Sequence, residues 1–160
     1  AAYWRGRCAL LRRDAATAQT LLPSLLASPD GPPVLLVSDL VDLIADSAQA
    51  AGPSTADAAS LQALTDTLLA HGRPPEWLLS VARLRLLQLR PPAAVSPGAL
   101  ANIRPLLDAA LAAAAQAPSR SQAQALQARA HDLYGDLDTL AENPHAAAAH
   151  RQTAARLRAP

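Results

Sequence analysis

Glycine and proline in this chain fall in clusters, and the stretches between the clusters contain little that would interrupt a helix. Ser28-Pro29-Asp30-Gly31-Pro32-Pro33, Gly52-Pro53-Ser54, Gly72-Arg73-Pro74-Pro75, Pro91-Pro92 to Pro97-Gly98, Pro118-Ser119 and Asn143-Pro144 each break a run rich in Ala and Leu. Proline lacks an amide donor and is tolerated at a helix start, whereas glycine suits the position just past a helix end. The punctuation predicts about eight helices, over 2–13, 15–27, 33–50, 55–70, 74–90, 98–116, 119–141 and 144–158. Short connections make successive helices antiparallel and pair them into hairpins. Strands are disfavoured, because they draw on aromatic and β-branched residues and only 2% of this chain is aromatic. The expected fold class is all-α.

Periodicity agrees with the punctuation. Leu36, Leu40, Leu43 and Ile44 form one stripe of the third helix, with Asp39, Asp42 and Asp46 on another face. Leu61, Leu64, Leu68 and Leu69 do the same in the fourth, where Ser54 or Thr55 can cap the first turn and Asp57 suits the helix dipole. The fifth helix, from Glu76 to Leu89, is apolar on most of its circumference and should be covered on more than one side. The eighth, Ala-rich after His145, suits a terminal helix. Pro23 and Pro105 fall inside expected helices and should kink them or delay their start, the latter to near Asn102.

The chain of 160 residues fits one domain over 1–160, and heavy use of Ala, Leu, Arg and Pro suits a GC-rich, bacterial genome. It contains no Met, so either an initiator was removed or this is part of a longer protein. Residues 1–14 are basic but lack the apolar core of a signal peptide. One Cys excludes an internal disulfide framework and a Cys-based zinc or iron–sulfur site. A net charge of +1 gives no domain-wide basic field for nucleic acid, and no run of about 18 uncharged apolar residues is present to span a membrane. There is no Lys, so Arg is the cation of this surface.

The first hairpin, Ala2-Tyr3-Trp4-Arg5-Gly6-Arg7-Cys8-Ala9-Leu10-Leu11-Arg12-Arg13-Asp14-Ala15-Ala16-Thr17-Ala18, resembles a tetratricopeptide repeat. In that family a small residue lets helix A pack closely on helix B, a Gly-Asp-like turn follows, and an Ala lies twelve positions after the glycine. Gly6, Arg13-Asp14 and Ala18 fall at those spacings, and Pro29 closes the unit one residue early. The last hairpin, with Tyr134-Gly135-Asp136 and then Ala147 to Leu157, is similar more loosely to a terminal repeat; the middle hairpins depart from the consensus. The resemblance implies a tetratricopeptide-like α-solenoid whose helix A faces line a groove for a partner peptide, with Tyr3, Arg7 and Leu10 pointing into it. The family's carboxylate clamp of Lys and Asn does not carry over, because Lys is absent and only Asn102 and Asn143 are present. An Arg-lined groove suits acidic groups instead.

No residue pattern here announces catalysis or a cofactor. Cys8, beside Arg7 and near Arg12, is read as a small residue buried where the first two helices meet, rather than as an activated thiol. His145 and His150 stand five residues apart, roughly 140° around a helix, and with His131 and Asp132 make no ligand set, so they are read as solvated. The three aspartates of the third helix are read as its solvated face. Arg73, Arg83, Arg85 and Arg90, like Arg5, Arg7, Arg12 and Arg13, form local positive regions without interleaved aromatics. Tyr3 and Trp4 could anchor a peptide, lie at a membrane surface or pack on the next helix. Two readings remain: a non-catalytic scaffold that binds a protein or peptide, and a regulatory helical domain that binds a small molecule between hairpins. A small enzyme is the third and has the least behind it.

Overall fold

The computed structural model describes residues 1–52, 55–89 and 97–159. Among these residues every regular element is a helix: α1 (Ala2–Arg12), α2 (Ala15–Leu26), α3 (Val34–Ala51), α4 (Thr55–His71), α5 (Pro75–Gln88), α6 (Pro97–Ala101), α7 (Arg104–Ala114), α8 (Arg120–Leu140) and α9 (Pro144–Arg158). The expected 98–116 helix is two pieces, because Pro105 sits in the first turn of α7 and the chain turns at Asn102 and Ile103. The other boundaries lie within two residues of expectation. Pro23 behaves differently, for α2 runs through it unbroken. Pro23 and Gln19 are both exposed, so water can serve the carbonyl that the missing amide leaves free. Ser54 and Arg90 lie outside the described residues and the side chains of Thr55 and Asp57 outside the described side chains, as does the cap expected there. No helix among the described residues is long and apolar enough to cross a membrane.

The chain divides into two compact units, residues 1–72 and 73–160. In the first, α1 touches both α2 and α3, and α2 touches α3. The α3 stripe is broader than the leucine spacing suggested, since Val37 and Val41 are fully buried beside Leu36, Leu40, Leu43 and Ile44. Asp39 and Asp46 are exposed and Asp42 is half-buried. On α4, Leu61 and Leu68 are buried while Leu64 and Leu69 are half-buried. Thr65 completes that face, its hydroxyl donating to the Leu61 carbonyl at 2.9 Å.

In the second unit α5 touches α7 and α8, α7 touches α8, and α8 pairs along its length with α9. Trp77, Leu78, Leu79, Val81, Ala82, Leu84 and Leu86 are buried, so α5 is covered around most of its circumference. Its buried polar groups are satisfied by α8: Gln122 Nε2 donates to Glu76 at 3.1 Å and Arg129 to the Ser80 hydroxyl at 2.9 Å. Ala147 and Ala154 are the buried residues of α9.

The first and last hairpins turn in the same way. After α1, Arg13 takes the left-handed conformation (φ 54°), its amide bonds the Leu10 carbonyl, and the Asp14 amide bonds that of Ala9. After α8, Glu142 does the same (φ 57°), with bonds to Thr139 and from Asn143 to Asp138. Both are Schellman-type ends. Asp14 and Asn143 then cap the following helix, accepting from the amides of Thr17 (2.9 Å) and Ala146 (3.3 Å). Gly6, Arg13, Asp14 and Ala18 thus correspond, at one constant offset, to Gly135, Glu142, Asn143 and Ala147.

The two glycines lie where a neighbouring helix approaches closely. A Cβ on Gly135 would stand 3.1 Å from Arg151 Cγ and 3.4 Å from the Ala147 carbonyl oxygen, both on α9. A Cβ on Gly6 would stand 3.2 Å from Leu36 Cδ2 and 3.3 Å from Leu40 Cδ1. Its tight neighbour is therefore α3 rather than α2, because the Leu36/Leu40 ridge leans on α1 at that turn.

Candidate functional site

Three places bear on function: the outward face of α1, a polar cluster on α7, α8 and α9, and a recess among α2, α3 and α4. The first begins with the choice of face. Gly6 and Ala9 are the buried residues of α1. At about 100° per residue, Trp4, Cys8 and Leu11 lie opposite them, with Arg5 and Arg12 along one flank and Tyr3 and Arg7 along the other. Trp4 is 72% exposed and Leu11 85%. Tyr3 meets the Trp4 ring edge to face, with centroids 5.4 Å apart. A shallow cavity of about 310 Å3 beside Trp4 is lined by Arg5, Cys8, Arg12, Asp14 and Thr17.

Of the residues expected to face a partner, Tyr3 and Arg7 are exposed and Leu10 is half-buried; none of the three lines the cavity. They form one edge of the surface whose middle is Trp4, Cys8 and Leu11. The i, i+4, i+7 spacing of those three was visible in the sequence, but choosing between faces required knowing that Gly6 and Ala9 point inward. Cys8 corrects the expectation of burial: it is a free, exposed cysteine, because Ala9 takes the inward position one residue later. Arg5, Arg7, Arg12 and Arg13 make no ion pair among the described residues. Asp14, beside them, is committed to its cap. Its two bonds from Thr17, side chain first and backbone second, hold its carboxyl below the ordinary range.

In the second unit several ionisable groups pair with one another. Asp138, almost wholly buried on α8, accepts from Arg104 of α7 at 3.1 Å and lies 3.6 Å from His150 Nε2 of α9. The Arg104 guanidinium stands 5.5 Å above the Tyr134 ring. That ring stacks on His150 (4.8 Å, 14°), and His150 stacks on His131 (5.1 Å, 28°). The two imidazoles also bond Nδ1 to Nδ1 at 2.9 Å, so one donates and the other accepts. Tyr134 donates its hydroxyl to Asp108 of α7, and burial followed by that bond pushes its pKa well up. His131 is pushed down, first by desolvation and then by the charge on His150, with Asp132 acting the other way.

Along the α8–α9 seam, Arg158 binds Asp132, and Arg151 reaches Thr139 Oγ1 at 2.9 Å and Asp136 at 3.7 Å. His131 and His150 are half-buried and face each other, which corrects their reading as solvated; His145 is exposed. No group of three or more His, Cys, Asp or Glu placed to hold a metal occurs among the described residues. With every buried polar side-chain atom among them partnered, the cluster acts chemically as a lock across three helices.

The recess, of about 250 Å3, is lined by Ala15, Ala16, Ile44, Ala48, Leu61 and Leu64, with Gln19, Ser47 and Ser60 as its polar groups. No family model, no curated protein and no solved structure matches this chain.

Proposed function

We propose that this chain is a non-catalytic interaction scaffold, a tetratricopeptide-like stack of helical hairpins that binds a protein partner on the outward face of α1. The observation that carries the reading is the contrast on that helix: Trp4 and Leu11 are exposed in the middle of the face, and the arginines around them close no ion pair among the described residues. An exposed aromatic anchor rimmed by Arg is the composition of a binding surface more than of a solvated one. The repeated turn chemistry at Gly6–Ala18 and Gly135–Ala147 supports the repeat element of the proposal. Tyr3, Arg7 and Leu10 are retained as one edge of the binding face.

The test is affinity capture from the source organism with three baits: the wild-type chain, Trp4→Ala and Arg7→Ala. A protein retained by the wild type and lost from both variants supports the scaffold. Equal retention by all three baits, or retention of no protein, overturns it. A second reading, a regulatory domain for a small molecule, is favoured by the recess among α2, α3 and α4, although its volume is below the usual range for a ligand pocket. A metabolite that raises the melting temperature of the wild type but not of Ala48→Leu, which fills the recess, would select that reading.

A further inference from the structure

Building on the scaffold reading, we infer that the partner segment is an acidic amphipathic helix lying along α1. Its apolar stripe would cover Trp4, Cys8 and Leu11, and its carboxylates would meet arginines on both flanks. The geometry supplies the shape. Trp4 to Leu11 spans two helical turns, about 10 Å of rise, and the cavity beside Trp4 accepts one inserted side chain. Arg5 and Arg12 on one flank and Arg7 on the other would bracket a helix seated on the stripe, within reach of carboxylates spaced i, i+3 or i+4 along it.

The charge supplies the chemistry. The arginines of α1 have no ion-pair partner among the described residues, and Asp14, the carboxylate on the cavity wall beside Arg5 and Arg12, is held in its cap by Thr17. A second copy of the chain, offering α1 to α1, would set guanidinium against guanidinium and is disfavoured. An anionic membrane would satisfy the arginines but offers no single side chain shaped to enter the cavity beside Trp4. A helix that carries its own carboxylates at the flanks avoids both conflicts.

The test follows the fluorescence of Trp4, the exposed indole, against the constant background of Trp77, which is 1% exposed. Two amidated peptides of about 15 residues, long enough to populate a helix, carry Leu at i, i+3, i+4 and i+7 with either Glu or Lys on both flanks. The Glu peptide is expected to shift Trp4 emission to the blue, saturably, and to weaken as salt is raised. The shift should vanish in Trp4→Ala, and affinity should fall several-fold in Arg12→Gln, both variants keeping the wild-type helical circular dichroism. Binding of the Lys peptide as tight as that of the Glu peptide, or no binding of either, overturns the inference. So does tighter binding to phosphatidylserine vesicles than to the Glu peptide, or a dimer at the assay concentration by sedimentation. A captured protein lost with Trp4→Ala but docking through a neutral or extended segment would leave the scaffold reading standing and overturn this one alone.

Discussion

The α1–α2 and α8–α9 hairpins share a backbone turn and differ in what their side chains do with charge. Both have a glycine at a close helix contact (with α3 for Gly6, with α9 for Gly135), a non-glycine residue in the left-handed conformation, an Asx cap and a buried alanine, in the same order and at the same intervals. In α8–α9 two exposed arginines pair along the seam, Arg158 with Asp132 and Arg151 with Asp136 and Thr139. In α1–α2 the arginines close no ion pair among the described residues, since Asp14, on the same cavity wall as Arg5 and Arg12, is bonded to Thr17, and Trp4 and Leu11 stand in the open between them. The turn fixes the hairpin; the pairing of charges decides whether its outer surface is closed or left for a partner.

The largest expected effect tests whether the two crossings are equally tight. Gly→Ala at either position should be nearly neutral, because better helix propensity offsets the contact. Gly→Val should cost about 1–3 kcal/mol through overpacking, read as a fall in the urea midpoint. Gly135→Val should be the worse of the two. One of its neighbours is a backbone oxygen that cannot rotate away, and moving Arg151 also breaks its bond to Thr139. At Gly6 the obstacles are leucine methyls, which have rotamers to spare. The reverse order would mean that the α1–α3 contact, not the α8–α9 seam, is the more rigid crossing.

The caps come next. Asn143→Ala should cost about 1 kcal/mol, the usual loss for an Asx cap. Asp14→Ala removes two bonds and a charge at the α2 N-terminus, so at neutral pH its effect on the melting temperature should exceed that of Asn143→Ala. The Asp14 carboxyl is lowered in the folded chain, so its contribution is complete above the ordinary carboxylate range and fades as pH falls through its depressed value. In strong acid the difference between the two cap variants should close.

A smaller effect has the opposite sign. Arg13 and Glu142 hold a left-handed conformation that costs most L-residues about 1–2 kcal/mol. Arg13→Gly and Glu142→Gly should each raise stability by up to about 1 kcal/mol after the added freedom of the unfolded chain is subtracted. Parallel gains would strengthen the equivalence of the two turns. Arg13→Gly leaves Arg5, Arg7 and Arg12 in place, so it should not alter binding to the outward face of α1.

The punctuation made the helices legible because Gly and Pro act locally: Pro105 stopped a helix where its ring and missing amide required, and Pro75 and Pro144 began two. What escaped the sequence was the direction of each face, which neighbours decide. Cys8 is outward because α3 claims Gly6, a contact made across the α2 segment. His131 and His150 look unrelated at nineteen residues apart, and only the α8–α9 pairing sets their rings together. Tyr134 finds Asp108 through the packing of α7 on α8, for which neither helix carries a sequence signal.

Mild acid should separate the hairpins, with the smallest effect of the series because the groups are only half-buried and solvent screens them. His131 is the group concerned. It faces His150 of α9, with Asp132 beside it on α8, and beyond them lie Tyr134 and Asp138, which contact Asp108 and Arg104 of α7, and Arg158 of α9. Its pKa is lower in the folded chain than in the unfolded one, so the unfolded chain binds the proton more readily. Stability from His131 is therefore complete above the ordinary histidine value, declines as pH falls below it, and is gone beneath the depressed value. Protonating His131 sets a poorly solvated cation at the contact between α8 and α9 and should loosen α9 from α8. The α1–α2 hairpin holds no histidine and should stay unchanged until the carboxylate range. Hydrogen exchange at about pH 5 against about pH 7, corrected for intrinsic rates, should show faster opening of α9 amides and no change in α2. His131→Gln should abolish the difference. Equal acid sensitivity in both hairpins would mean that the imidazole contact carries no share of α9 docking, and that the two ends of the chain differ only in their outer surfaces.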